Sequence, residues 1–207
     1  MWCHIPASES PVWRTTLHLR YPDMVKTLIV LAISTSAVTA VSSAQAPADP
    51  YAYILAGAPV AQREGAGVLK WKPDFTYDTL KKSTNNVVCY DQSGWPLQNV
   101  YSIECTNVGN LERVAQNFKF EASGDRAKRN ALVIEAEKNG TRVQPVFGSI
   151  WHHLYGPDKD HVLHHMTVAM PGATGASLGL PENGTANGAW VMDAGTSSAH
   201  IMLPPQQ

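Results

Sequence analysis

The chain has no surplus of positive charge: 16 Lys and Arg stand against 17 Asp and Glu. Without extra cations to neutralise phosphates, nucleic acid is not an expected partner. No basic amphipathic stretch is present to hold a membrane surface. Cysteine is scarce, three in 207 residues, and no C-x-x-C spacing occurs, which argues against a thiolate metal centre or a dithiol redox motif. Past residue 46, no apolar run approaches the ~20 residues that a membrane helix needs. Stable membrane insertion after processing is therefore not expected. Neither a repeat of solenoid length nor a low-complexity tract is found.

One short apolar run does stand out. Lys26 precedes Leu28-Ile29-Val30-Leu31-Ala32-Ile33, and small residues follow to Ser43-Ala44-Gln45-Ala46. A basic start, a core too short to span a bilayer and an Ala-x-Ala exit form the pattern of a secretory signal peptide. The expectation is a signal peptide over 24–46 and a single exported domain over 47–207, in the periplasm or outside the cell. Residues 1–23 are read as an over-extended reading frame, with translation starting at Met24. The 161 residues after Ala46 suit one domain. They contain Cys89 and Cys105 as an even pair, so in an oxidising compartment a structural disulfide between these two is expected.

Tyr51 to Glu64 could hold a short helix, and Val68 to Val88 mixes short β-like runs with turn residues. Asp91 to Pro96 forms a loop inside the disulfide ring. Asn110 is placed to cap a helix whose Leu111, Val114, Ala115 and Phe118 recur at helical spacing. A second helix is predicted from Asp125 to Lys138, with Ala127, Ala131 and Leu132 facing inward and Asn139-Gly140 as its left-handed stop. The last third reads as antiparallel strands over Arg142–Leu154, Val162–Met170, Ala189–Asp193 and Ala199–Leu203. The fold class is therefore α+β, with N-terminal helical and short-strand segments packed on a mainly antiparallel C-terminal sheet.

All six histidines after the leader lie in this last third. His164-x-Met166 and His200-x-Met202 each fall on a predicted strand, where residues two apart share a face. If the strands neighbour each other in suitable register, two imidazoles and two thioethers converge. That donor set suits copper, Cu(I) above all. The competing reading treats these methionines as core filler and the histidines as packing residues. His161, His164 and His165 would share a face only on a helix, which Val162, Thr167 and Val168 disfavour. His152 and His153, between Trp151 and Tyr155, read as an aromatic surface. Asp158 and Asp160, beside Lys159, read as a solvated turn. Gly175-Ala176-Ser177-Leu178-Gly179 matches the nucleophile-elbow spacing formally, but no strand precedes it, and Leu180-Pro181 is expected to block a helix after it.

Residues Val168 to Thr174, Ser177 to Pro181 and the Gly188–Met202 stretch, with its Gly-Thr-x-x-Ala-His-Ile-Met ending, resemble a group of uncharacterised exported bacterial proteins. Tyr53 to Pro59 and the Cys89–Cys105 region are similar too. The resemblance implies export from a bacterium and carries no activity or functional residue with it. Three functions are open: a small binding module with a His/Met site for a small ligand or metal, copper being the metal its donors suit; a small enzyme using a clustered histidine as general acid or base; or a structural protein without ligand.

Overall fold

The computed structural model describes residues 49–184 and 187–205, which belong to one compact unit. The proposed extension, the signal peptide and its cleavage site lie outside the described residues. Among the described residues, four α-helices accompany one eight-stranded sheet, mainly antiparallel, so the fold is α+β. No described helix is long and apolar enough to cross a membrane.

The strands are β1 (Gly67–Trp71), β2 (Tyr77–Lys81), β3 (Val87–Asp91), β4 (Tyr101–Asn107), β5 (Ile150–Asp158), β6 (His161–Ala169), β7 (Trp190–Met192) and β8 (His200–Met202). They lie in the order β2-β1-β3-β4-β5-β6-β8-β7, and only β1 and β3 run parallel. Because side chains alternate along a strand, the pairing sorts the sheet into two faces. On the first face Cys89 lies opposite Cys105, Cys105 opposite His152, and His152 opposite Met166. On the second, Tyr90 lies opposite Glu104, Glu104 opposite His153, and His153 opposite His165.

Each face has its own cover. The first packs under the N-terminal segment, where α1 (Ala52–Leu55) and the turn after it bring Ile54, Leu55, Ala58 and Ala66 onto Val68, Ile103 and the cysteines. Cys89 and Cys105 form the expected disulfide within this core, their Cα atoms 4.0 Å apart. Gly57 permits the close approach: a Cβ there would stand 2.9 Å from Cγ2 of Ile103 and 3.0 Å from Sγ of Cys105. The second face packs under α2 (Leu111–Glu121), whose Leu111, Val114 and Phe118 meet Leu69, Trp71, Val88 and Tyr90. Trp95, from the loop inside the disulfide ring, stacks on Phe118 at 4.4 Å between centroids.

Several expectations change. Asn110 occupies the cap position of α2 but makes no capping bond. Its amide is fully buried instead, donating to Thr106 Oγ1 (2.7 Å) and Ser149 Oγ (3.0 Å) and accepting from the Val146 amide (2.8 Å). The next helix, α3 (Arg126–Lys138), is capped by Asp125, which accepts from the amides of Ala127 and Lys128, but only Ala136 on it is buried. Ala127, Ala131 and Leu132 face outward, because α3 leans on α2 and the cavity described below rather than on the sheet. The strand expected from Arg142 starts only at Ile150 and runs through Gly156-Pro157 to Asp158. A Cβ on Gly156 would lie 2.0 Å from the His161 carbonyl oxygen, so glycine is what lets the two strands close across their irregular register there. The loop after Pro171 holds one helical turn, α4 (Gly175–Leu178), set by a Thr174–Ser177 capping box and ended by Gly179 at φ 67°. Leu180-Pro181 therefore follows that turn rather than preventing it.

The disulfide ties adjacent strands under the N-terminal segment, and a ring of this size is worth about 3 kcal/mol on the chain-entropy account. Urea unfolding with and without reductant should differ by about that amount. Identical midpoints, or two reactive thiols on the native protein, would show that the bridge contributes nothing.

Candidate functional site

The four residues expected to converge do not. β6 and β8 are neighbours, as the copper reading required, but Thr167 lies opposite Met202, Val168 opposite Ile201 and Ala169 opposite His200. His200 and Met202 thus share the face of Thr167 and Ala169, whereas His164 and Met166 project from the other side of the sheet. Within each pair the shared-face argument holds. Nδ1 of His200 donates to the Ser198 carbonyl (2.7 Å), leaving Nε2 3.1 Å from Sδ of Met202. His164 stacks with His152 at 5.4 Å between ring centroids, and Met166 faces His152 across β5. Among the described residues no group of three or more His, Cys, Asp or Glu is placed to hold a metal. The one-residue register that separates the pairs sets His164 and Met166 on one face and His200 and Met202 on the other, so the four side chains do not meet at one point.

The second face, with α2 and α3, instead borders an open cavity of about 710 Å³. Its floor is a cross-strand row, Glu104 on β4, His153 on β5 and His165 on β6, with Trp151 and Thr167 beside them and His200 at one end. His152 and His153, expected as surface, are separated by the same alternation: His152 is buried in the first face and His153 lines this floor.

A hydrogen-bonded network runs beneath the floor. Tyr90 Oη donates to Glu104 Oε1 at 2.5 Å, and Gln92 Nε2 reaches Glu104 Oε2 (3.3 Å) and Ser102 Oγ (3.1 Å). Ser102 Oγ lies 2.8 Å from His153 Nε2. With Ser102 accepting from Gln92, its own proton points to His153, which fits a neutral imidazole protonated on Nδ1. Burial pushes the Glu104 carboxyl up to about 7, against the hydrogen bonds from Tyr90 and Gln92, and neighbouring Glu121 raises it further. Burial pulls His153 down to about 4, helped by His165. His165 is lowered by burial, then by His200 and His164, and its Nε2 is buried without a partner. A carboxyl that can keep its proton near neutrality beside a histidine that stays neutral is a pattern found where protons are exchanged or neutral polar ligands are held.

Two arginines form the wall. Arg113 on α2 and Arg142 after α3 are each 5 % exposed and line the cavity. Arg113 donates to the Val143 carbonyl (2.5 Å) and to the hydroxyls of Ser197 (3.1 Å) and Ser198 (2.8 Å). Arg142 donates to Gln116 Oε1 and Asn117 Oδ1, both at 2.6 Å. Burial lowers Arg113 to about 10, with Glu137 opposing and Arg129 adding, and lowers Arg142 to about 9, with Arg113 and Arg129 adding and Glu137 and Glu121 opposing. Guanidinium stays protonated at any ordinary pH, so these shifts register above all how deeply the two charges are buried. Val133, Ile134 and Pro145 supply apolar wall, and Ile134 remains 67 % exposed at the mouth.

Ser177 takes no part. Its hydroxyl donates to the Thr174 carbonyl and its amide bonds Thr174 Oγ1, so the elbow spacing serves a helix cap. Asp158 and Asp160 form the exposed β5–β6 turn with His161, as expected. Glu104, Arg113 and Arg142 were missed. Glu104 left one signal, an acidic residue inside an otherwise β-forming run next to Cys105, and Arg113 another, a charge between Leu111 and Val114 on the inner side of a helix. No family model, no curated protein and no solved structure matches the chain. Any function must therefore be read from these side chains.

The titrations give a signed prediction. His152 and His153, lowered to about 4, contribute stability that is present above 6.5 and lost as pH falls through 4. Glu104, raised to about 7, contributes stability that is present below 4.5 and lost as pH rises through 7. The two oppose each other where they overlap. Unfolding free energy should fall on acidification from 6.5 to 4, and Glu104→Gln should steepen that fall by roughly 1.4 kcal/mol per pH unit, one proton's worth. An unchanged slope in the variant would show that Glu104 titrates normally.

Proposed function

We propose that this protein is an exported binding module that holds a small organic molecule in the cavity between the second sheet face and helices α2 and α3. The observation that carries this reading is the cavity itself: about 710 Å³, with polar and charged side chains converging on it from sheet and helices and an apolar edge from Val133, Ile134, Pro145 and Trp151. Export is supported by the leader pattern and agrees with a disulfide in the core. Metal binding through both His–Met pairs is not part of the proposal.

A neutral fluorescent probe, phenylnaphthylamine, should bind with a stoichiometry of one and brighten on transfer from water. Val133→Trp at the mouth and Thr167→Trp on the floor should each abolish the signal while the melting temperature stays near that of the wild type. Retained probe binding in both folded variants would place the ligand elsewhere.

A second reading, a small enzyme, is favoured by one feature: Glu104 and His153 are cross-strand neighbours on a floor open to ligand, with Glu104 raised to about 7. A general acid or base contributes roughly 10²–10⁴-fold to rate. If a bound molecule is turned over, Glu104→Gln should cost about that factor with probe affinity unchanged. Equal turnover in variant and wild type would remove Glu104 from the chemistry and leave a binding role.

A further inference from the structure

Resting on the reading that the cavity holds a small organic molecule, we infer that this molecule is an organic oxyanion, a carboxylate or sulfonate on an apolar body. Its charged end faces Arg113 and Arg142 and its body lies between Trp151 and the Val133–Ile134 edge of α3. Arg113 and Arg142 are both buried and both line the cavity. Every hydrogen bond that they make ends on a neutral oxygen, a carbonyl, a hydroxyl or an amide. Among the described residues neither has a carboxylate within the 4.0 Å of an ion pair, and Nε of Arg142 is buried with no hydrogen-bond partner there. Arg142 also has the Phe120 ring 5.3 Å from its guanidinium, a weak substitute for an anion.

Two buried cations on one wall repel each other, and a third, Arg129, lines the same cavity and is paired only loosely, 3.9 Å from Glu121. The nearby carboxylates offset part of this charge, Glu137 and Asp193 at Arg113 and Glu137 and Glu121 at Arg142, but none forms an ion pair with either among the described residues. Glu137 accepts from the hydroxyl and amide of Ser197, Asp193 lies on the β7–β8 connection, and Glu104 is held by Tyr90 and Gln92. Buried charges in folded proteins are ordinarily paired, because leaving one uncompensated in a low-dielectric interior is costly. A ligand oxyanion at the cavity face of these guanidiniums would supply the missing opposite charge. Arginine's planar fork suits a two-oxygen acceptor. The apolar remainder of the cavity then specifies an organic acid rather than a bare inorganic ion.

Two probes that differ by one group test this. Anilinonaphthalene sulfonate and its neutral parent phenylnaphthylamine share the same rings, and only the first carries an oxyanion. On the purified full chain the sulfonate should bind about tenfold tighter or more, the value of one charge-assisted hydrogen bond. Arg142→Gln should erase that preference and leave affinity for the neutral probe unchanged. Because Arg142 is buried and its loss could disturb folding, Arg129→Gln provides a second variant on a more accessible side chain. It should narrow the preference severalfold at an unaltered melting temperature. Hexanoate should displace the sulfonate, whereas inorganic phosphate at the same concentration should not. Equal affinity for both probes would overturn the oxyanion inference while the cavity reading stands. Binding of neither would defeat the cavity reading itself. Displacement by phosphate alone would overturn the organic half.

Discussion

The register of β4 against β5 and of β5 against β6 is the constraint on which everything else rests. Side-chain direction has a period of two along a strand, so opposite residues share a face and neighbours in sequence do not. In this register Cys105, His152 and Met166 fall on one side of the sheet and Glu104, His153 and His165 on the other. A slip of one residue would turn a buried carboxyl into the apolar core and the disulfide toward the cavity. The disulfide, joining directly opposed residues of β3 and β4, pins the register of the neighbouring pair.

The two faces then have different energetics. The first is closed: short N-terminal elements seal it, aliphatic side chains and the disulfide fill it, and Gly57 lets backbone and sheet approach. The second is closed only over β1 and β3, where Phe118, Tyr90 and Trp71 meet edge to face around α2. Beyond them α2 presents Arg113 rather than a hydrocarbon, α3 stands off with a single buried residue, and polar groups take the place of packing. Arg113 and Glu137 nevertheless hold Ser197 from two helices, which ties the β7–β8 connection to the cavity wall. Buried polar groups that are imperfectly satisfied cost stability, and such concentrations are retained where something binds or reacts.

Much of the architecture was legible because its signals are local. The Leu111–Val114–Phe118 spacing, the helix-forming run before Asn139 and the β-branched run of β6 each act within a few residues, and α2, α3 and β6 formed where expected. Asn110 shows the limit. A residue chosen by its type as a helix cap spends its amide on Thr106, Ser149 and Val146, partners as far as 39 residues away. Inner residues of α3 were misassigned because alanine and leucine at helical spacing cannot say whether a sheet lies within reach. The His-x-Met pairs illustrate the same point more sharply: each does share a face, and their strands are adjacent, yet one residue of register sends them to opposite sides.

By itself the sequence determined the α+β class, the pairing of Cys89 with Cys105 and the presence of histidines on C-terminal strands, since composition, cysteine number and short-range periodicity are enough for these. Only the tertiary structure decided which histidines meet. It brought Glu104, His153 and His165 into one row and set two buried arginines from separate segments above them. The reason is that strand register and helix docking are long-range choices, settled by how whole surfaces pack and not by any residue's own preference.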